Sequence, residues 1–440
     1  MESGAIEVSV EGGELLSAGG VLQGWRIAVV GMGYVGLPTA LSFADEDADV
    51  VGIDVNEARL AAINDVQVDL SPRDWPRSVR ALQQSALRLT SDSAELTAAD
   101  AVIVCVPTPI DEHSTPDLGP LSAACATVVE HARPGQTIVL TSTTYAGCTQ
   151  DLLVKPLQDR GFRVGTDVFV AFSPERIDPG VVDHAPEQTP RVLGGCTEAC
   201  VENAMRFLTH TACELHVVSS PEVAEMTKLL ENTFRAVNIA LANEFANAAR
   251  ELKVDVMEVI AAASTKPYGY MPFYPGAGVG GHCIPCDPHY LLWQLRARRT
   301  NSPLVEAAMS AIAARPRDVV TQAARILADR GRSLKGARVL VLGVSYKPGL
   351  ADVRESPALA IISMLNGQGA EVAYSDPHVA EISVRGVGRL THQPAPDEQH
   401  WDLVVVHTVH PDQDHDWLTG QSAVLDTTYR LAAVAERHLL

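Results

Sequence analysis

Short apolar, β-branched runs alternate with amphipathic stretches along this chain, and glycine or proline punctuates the joins. RIAVVG from Arg26, DVVGID ending at Asp54, AVIVCVP (101–107), TIVLTST (137–143), VFVAFSPE (168–175) and ELHVV (214–218) each predict a buried strand of a parallel sheet. Residues 219–253 predict one long helix opened by Ser219 or Ser220 and Pro221, with Val223, Met226, Leu229, Leu230, Phe234, Val237 and Leu241 as its apolar face. A helical stretch continues to about residue 263, and a glycine-rich loop follows. SLKGARVLVLG (333–343) then restarts the strand pattern, with a helix from Ser356 and strands EVAYSDP (371–377), LVVVHTV (403–409) and SAVLDTT (422–428). Two strand–helix blocks around a helical middle predict an α/β fold: two Rossmann-like doubly wound domains joined by a central helical domain with one long helix. The expected division is an N-terminal extension (1–25), a first Rossmann domain (26–218), the central domain (219–316) and a C-terminal Rossmann-like domain (317–440).

The first strand runs into Gly31, Gly33 and Gly36 in G-x-G-x-x-G spacing and then into a helical pattern. Such a turn brings backbone close to a pyrophosphate and sets it on a helix N-terminus. Asp54 ends the next strand, where a carboxylate accepts from a ribose 2′-hydroxyl and repels a 2′-phosphate, so NAD is expected rather than NADP. A packing turn with a capping Asp explains each feature singly, but not their spacing.

Composition narrows the remaining ligands. The 440 residues carry a net charge of −20 and a pI near 5.1, which argues against nucleic acid or an anionic membrane as partner. No apolar run reaches the length of a membrane span, and the eight cysteines are too sparse for a disulfide scaffold. A cytoplasmic protein is expected. An anionic ligand would need cations gathered locally, and Lys347 and Arg354 of the last domain supply them.

The stretch GAGVGGHCIPCDPHY (276–290) is too glycine-rich for a core element, and it presents Cys283 with Asp287 four residues on. A thiolate there is a candidate nucleophile. Cys283 and Cys286 form a C-x-x-C, but zinc would want a second pair at ligand spacing and none is present, so no metal is expected. Cys286 either fills an apolar position or forms an oxidant-sensitive pair with Cys283. Lys228 and Asn232 are i and i+4 on the long helix and share a face. A solvated face, with Glu225 and Glu231 as ion-pair partners, is the plainer reading of that pair. The polar strand tips Pro107-Thr108-Pro109, Ser142-Thr143 and Ser173-Pro174-Glu175 lie where the crevice of an open sheet would be. A dinucleotide oxidant and an activated cysteine in one chain suggest oxidation of an alcohol by four electrons, through an aldehyde, a thiohemiacetal on Cys283 and a thioester.

The motifs VVGMGYVGLP, GIDVNEARL, CVPTP, STTYAG, FSPERIDPG, EMTKLLENTFRAVNIALANE, KPYGYMPFYPGAGVGGHCIPCDPHYL and YKPGLADVRESPAL resemble the UDP-glucose/GDP-mannose dehydrogenase family from Arg26 to about Thr427. KPYGYMPFYPG before GGHCIP is most similar to the branch that oxidises UDP-N-acetylhexosamines. The resemblance implies that Cys283 is the nucleophile, Lys228 an oxyanion stabiliser, Asn232 the holder of an oxyanion or water, and Asp287 a proton carrier. It places Thr143 in the active site and Glu175 in thioester hydrolysis. It implies an NAD site of Gly31, Gly33, Tyr34, Val35, Gly36, Asp54, Arg59, Pro107, Thr108 and Thr143. The sugar nucleotide would meet Glu175, Arg176, Lys228, Asn232, Tyr274, Gly276, Gly278, Gly280, Gly281, Lys347 and Arg354. A homodimer through the central domain is implied as well.

Several positions depart from the family pattern: Thr141, Ala146, Cys286, the AIAARP stretch (311–316), Pro348, and Asp426-Thr427-Thr428-Tyr429. None removes a catalytic residue. UDP-N-acetylglucosamine and its mannosamine epimer are the first expected substrates, with UDP-glucose as an alternative. A catalytically idle NAD- and nucleotide-sugar-binding homologue, or a two-electron hydroxyacid dehydrogenase, would also fit parts of the pattern.

Overall fold

The computed structural model describes residues 22–67, 74–176, 188–431, 434 and 437–440. Most of the expected extension, and residues 177–180 of the FSPERIDPG stretch, lie outside the described residues.

The first sheet contains β1 (Arg26–Val30), β2 (Asp49–Ile53), β3 (Leu87–Thr90), β4 (Ala101–Val104), β5 (Thr137–Leu140), β6 (Phe169–Phe172), β7 (Arg191–Gly195) and β8 (Leu215–Val218), in the order β3-β2-β1-β4-β5-β6-β7-β8. Helices α1 (Gly36–Asp45), α2 (Glu57–Asn64), α3 (Asp74–Gln83), α4 (Gly119–His131), α5 (Lys155–Asp159) and α6 (Glu198–Leu208) connect them. Alternate residues of one strand enter different cores, Ile27 and Val29 on one face and Ala28 and Val30 on the other. Coverage on both faces is why these strands are continuously apolar. The chain order reverses between β1 and β4, which opens a crevice at their carboxyl ends.

One expectation needs correcting here. β7 runs antiparallel to β6, and β8 is parallel only to β7, so ELHVV does not extend the parallel array. Gly194 of β7 permits the reversal to pack: a Cβ there would meet the Ser220 carbonyl at 2.3 Å. The start of the long helix therefore rests directly on the sheet.

That helix, α7 (Pro221–Leu252), is capped by the Ser220 hydroxyl and ends at Lys253, whose φ is +57°. α8 (Val256–Ser264), α9 (Asp287–Ala297) and α10 (Pro303–Asp329) complete the middle of the chain. α10 runs unbroken through Pro316, so the expected boundary at 316/317 falls inside a helix. Of the expected apolar positions on α7, Leu229 is buried and Val237 packs against the core, but the other five are exposed. The buried side of the helix is made of Ala224, Leu229, Ala236 and Ala240 with Glu225, Asn232 and Asn243, while Val223, Met226, Leu230, Phe234 and Leu241 are exposed.

The second sheet is parallel and contains β9 (Arg338–Leu342), β10 (Glu371–Ser375), β13 (Leu403–Val406), β14 (Val424–Asp426) and β15 (Arg437–Leu439); β11 (Glu381–Val384) and β12 (Gly388–Thr391) form a separate antiparallel hairpin. The five paired strands lie in the order β10-β9-β13-β14-β15, and α11 (Pro357–Gly367) follows β9. Among the described residues, no helix is long and apolar enough to cross a membrane.

Candidate active site

The glycine turn after β1 is shaped by three different constraints. Gly31 has a φ of +93°, and a Cβ there would meet the Cys105 carbonyl oxygen at 2.6 Å. A Cβ on Gly36 would lie 1.7 Å from the Gly31 carbonyl oxygen. Gly33 faces open space. The first and third glycines thus hold the turn against β4, and the second keeps its outer side clear, as a pyrophosphate would require. α1 begins at Val35 with no side-chain cap and no acidic residue in its first turn, which leaves its N-terminal donors to a ligand. Asp54 accepts from the Met32 N–H at 2.7 Å and the Asn56 N–H at 2.9 Å, while Arg59 Nε donates to the Met32 carbonyl at 3.0 Å. Tyr34 lies under the Arg354 guanidinium of the C-terminal domain, 3.9 Å from ring centre to Cζ. These residues fit an NAD molecule along the turn.

The second site residues come from three elements. Lys228 and Asn232 project from the buried side of α7, and Lys228 Nζ donates to the Glu175 carbonyl at 2.9 Å. Asn232 Nδ2 donates to Asp287, the first residue of α9, and the Thr143 side chain, in the loop after β5, faces the same carboxyl. Asp287 is buried, and desolvation pushes its carboxyl up to about 6 against the opposing pull of Lys228, Asn232 and Thr143. The Cys283 carbonyl accepts from the Cys286 and Asp287 N–H groups at 3.2 and 2.8 Å, which makes the turn that enters α9 and leaves the Cys283 side chain exposed. Cys286 is buried, and its thiol is pushed up to about 12 by desolvation. Thr108, after β4, faces the buried Tyr290 of α9, and Pro107 beside it is exposed.

Three glycines of the cysteine loop pack closely against the C-terminal domain. A Cβ on Gly280 would meet Tyr346 Cβ at 2.5 Å, one on Gly281 the Tyr346 ring at 3.0 Å, and one on Gly278 the Pro357 side chain at 2.8 Å. The Gly281 N–H also donates to the Arg354 carbonyl at 3.0 Å. On the side where a Cβ would stand, those positions are filled by the C-terminal domain. Gly276 is held by its N–H to Asn243 Oδ1 and its carbonyl to Arg315 Nε, at 2.9 and 2.8 Å. Lys347 is half-buried in the turn after β9, and Arg354 is paired with Asp352.

Three other expected residues stand apart from this cluster. The Glu175 carboxylate pairs with the buried Arg191 at 3.2 Å and accepts the Arg176 N–H at 2.9 Å, so its backbone and not its acid group meets Lys228. Arg176 pairs with Glu231. Tyr274 is exposed, beside Phe273, which packs edge-on against Phe234 on the outer side of α7. Glu225 is no solvated partner of Lys228: it is fully buried and accepts from Gly147 and Thr149. Sequence reading put Glu225 on a solvated face and missed Gln294 and Arg191, and only an acid or amide on the inward side of its helix could have signalled the first two.

In the C-terminal domain, Asp376 after β10 accepts from the Val344 and Ser345 N–H groups at 2.7 and 3.0 Å, as Asp54 does from Met32, but it is wholly buried. His410 donates to it from Nε2 and accepts the Gly349 N–H at Nδ1. His378 and Asp412 lie close by, yet both His410 nitrogens are already committed to bracing this turn.

Residues 25–212 match the NAD binding domain of the UDP-glucose/GDP-mannose dehydrogenase family, residues 222–311 its central domain and residues 340–431 its UDP binding domain. The chain belongs to the UDP-glucose/GDP-mannose dehydrogenase family. It is 36% identical to the protein CapL of Staphylococcus aureus, covering 80% of this chain and 82% of that one. It is 33% identical to a UDP-N-acetyl-D-glucosamine 6-dehydrogenase of Pseudomonas aeruginosa, covering 88% and 90%. The structure of a UDP-N-acetyl-D-mannosamine dehydrogenase from Pyrococcus horikoshii superposes with a TM-score of 0.86 at 31% identity, over 94% of this chain and 98% of that one. This family member is an NAD-dependent nucleotide-sugar dehydrogenase.

Proposed function

We propose that the enzyme oxidises the C6 alcohol of a UDP-N-acetylhexosamine to the uronic acid, taking four electrons per sugar through a thioester on Cys283. The observation that carries this reading is the convergence of Lys228, Asn232, Thr143 and Asp287 at the start of the helix that Cys283 precedes.

The glycine turn and Asp54 would hold NAD, which when bound would supply the hydride acceptor for each half of the reaction. In the first half Lys228 stabilises the alkoxide oxygen, and Asp287 takes the alcohol proton through water. Cys283 then adds to the aldehyde carbon, and its proton passes to the Asp287 network. The thiohemiacetal so formed keeps the intermediate on the enzyme and loses the second hydride to become a thioester. Water completes the sequence, releasing the carboxylate and restoring the thiol. Glu175 takes part through its carbonyl on Lys228, because its acid group is engaged by Arg191. Lys347 and Arg354 meet the pyrophosphate, and the N-acetyl preference follows the named relatives.

The exposed stripe of Val223, Met226, Leu230, Phe234 and Leu241, continued by Tyr268, Tyr270, Met271 and Tyr274, suits a second copy of the chain. We therefore assign a homodimer. Eight cysteines with no disulfide among the described residues suit a reducing cytoplasm, and a uronic acid product suits polysaccharide synthesis. UDP-glucose is the second substrate reading, since neither nucleotide contact senses C2.

The test is NADH absorbance with a limiting amount of UDP-N-acetylglucosamine, UDP-N-acetylmannosamine, their galacto epimer or UDP-glucose. About two NADH per sugar is expected for one of the acetamido sugars. One NADH per sugar, or full conversion by Cys283→Ser, would overturn the thioester route. No turnover despite NAD binding would favour an idle homologue.

A further inference from the structure

We propose that Glu225 is a positioning residue for this reaction: its carboxylate fastens the loop that carries Thr143 to the helix that carries Lys228 and Asn232. The inference rests on the reaction groups assigned above. Glu225 lies one turn before Lys228 and two before Asn232, on the same side of α7. Its Oε1 accepts from the Thr149 N–H at 2.8 Å and the Thr149 hydroxyl at 2.7 Å, and its Oε2 accepts from the Gly147 N–H at 2.5 Å.

Nothing in simple packing calls for an acid at this point. Glu225 is fully buried, and among the described residues no cation pairs with it. A buried carboxylate without a counter-ion is costly, and only a set of well-aimed donors offsets that cost. Burial pushes Glu225 up to about 6 against the bonds from Thr149 and Gly147, so at neutral pH it is charged and accepts all three. The titratable groups that face it are Glu222 on its own helix, Cys148 in the loop and Cys196 after β7, both thiols being pushed up to about 12.

The loop is tied on its other side as well. Gln294 of α9 exchanges two hydrogen bonds with Ala146, donating at 2.6 Å and accepting at 3.3 Å. At its start, the Ser142 hydroxyl donates to the Val106 carbonyl at 2.9 Å. The segment around Thr143 is thus tied at Val106 beyond β4, at α7 and at α9, and these ties set where the Thr143 side chain stands relative to Asp287. Glu225 supplies the α7 tie. A glutamine there would turn an NH2 group toward one of its donors, and an aspartate would fall one methylene short.

The experiment is a double-mutant cycle on NADH formation, using wild type, Thr143→Ala, Glu225→Gln and the double variant, with amide exchange followed at Gly147 and Thr149. Glu225→Gln is expected to lower kcat about 10- to 100-fold with KM for NAD and sugar within about 3-fold. The double variant should then be no more than about 3-fold slower than Thr143→Ala alone. Exchange at the two loop amides should rise at least about 10-fold while the centre of α7 stays protected. Multiplicative losses, or an unchanged kcat in Glu225→Gln, would overturn the proposal. Should Glu225→Gln not fold, Thr149→Val removes one of the three bonds and should show the same non-additivity with Thr143→Ala. If the wild type oxidises none of the sugars, the functional reading fails, and unchanged exchange at Gly147 and Thr149 would by itself sink the role of Glu225.

Discussion

The guanidinium of Arg354 lies over the ring of Tyr34, joining the C-terminal domain to the glycine turn of the NAD domain. The same residue accepts the Gly281 N–H through its carbonyl and is paired with Asp352. One arginine thus touches the dinucleotide turn, the cysteine loop and its own domain. A cation on an aromatic face contributes about 0.5–2 kcal/mol, more when desolvated. Arg354→Lys keeps the charge but loses the flat face, and it is expected to weaken NAD binding by about 3- to 10-fold in the absence of sugar. Titration of NAD by protein fluorescence checks this, and unchanged affinity would mean that the stacking is incidental.

The glycine turn separates folding from binding. A methyl at Gly36 would collide with the Gly31 carbonyl, whereas one at Gly33 meets nothing. Gly33→Ala is expected to keep the wild-type melting temperature within about 2 °C yet lose NAD affinity at least about 10-fold. Gly36→Ala should be destabilised by several degrees before any ligand is added. Calorimetry with and without NAD distinguishes the two.

Asp287 makes the fold pay for its chemistry in a measurable pH window. Its carboxyl titrates at about 6 in the native state against an ordinary 3.8. Between those values the native state holds a proton that the unfolded chain has released, so stability falls as pH rises from about 4 to about 6. Asp287→Asn removes that titration. Relative to wild type, the variant should gain about 3 kcal/mol on going from pH 4 to pH 8, while losing most of its turnover. Denaturant melts at the two pH values supply the comparison, and equal differences at both would show that the burial of Asp287 carries no penalty. The wild-type kcat/KM should decline below about pH 6, as Asp287 becomes protonated.

Cys286 invites a redox role by its spacing, but its burial speaks for packing. A thiol held at about 12 is almost entirely protonated at neutral pH and is a slow partner for an oxidised Cys283. Cys286→Ala is therefore expected to lose stability without changing peroxide sensitivity or recovery by reductant. A variant that resisted reactivation would reverse this view.

The parallel strands, the glycine fingerprint and the long helix were legible because each has a period or spacing that local physics enforces. The C-x-x-C loop, Lys228 and Asn232 were legible as residue types, and the family resemblance supplied their roles. What escaped was set by long-range contact. β7 carries two glycines that look like a turn until Ser220 is seen against Gly194, and β3 is four residues of mixed polarity. The close packing of the loop glycines against Tyr346 and Pro357 was not legible, because sequence cannot tell which domain neighbour a glycine must admit. Glu175 was assigned by its position, and only the fold reveals Arg191 beside its acid group.

The length of α7 has a consequence for how this chain can change over evolutionary time. Lys228 and Asn232 near its start face the reaction groups, and Asn243, three turns farther on, holds the Gly276 N–H. A single inserted residue between them would advance the helix by about 100°, rotating Asn243 away from the loop while leaving Lys228 where it was. Point substitutions on the outer side leave that phase untouched. The distance in residues from 232 to 243 is thus a fixed quantity, and a single-residue insertion or deletion within it separates the two contacts.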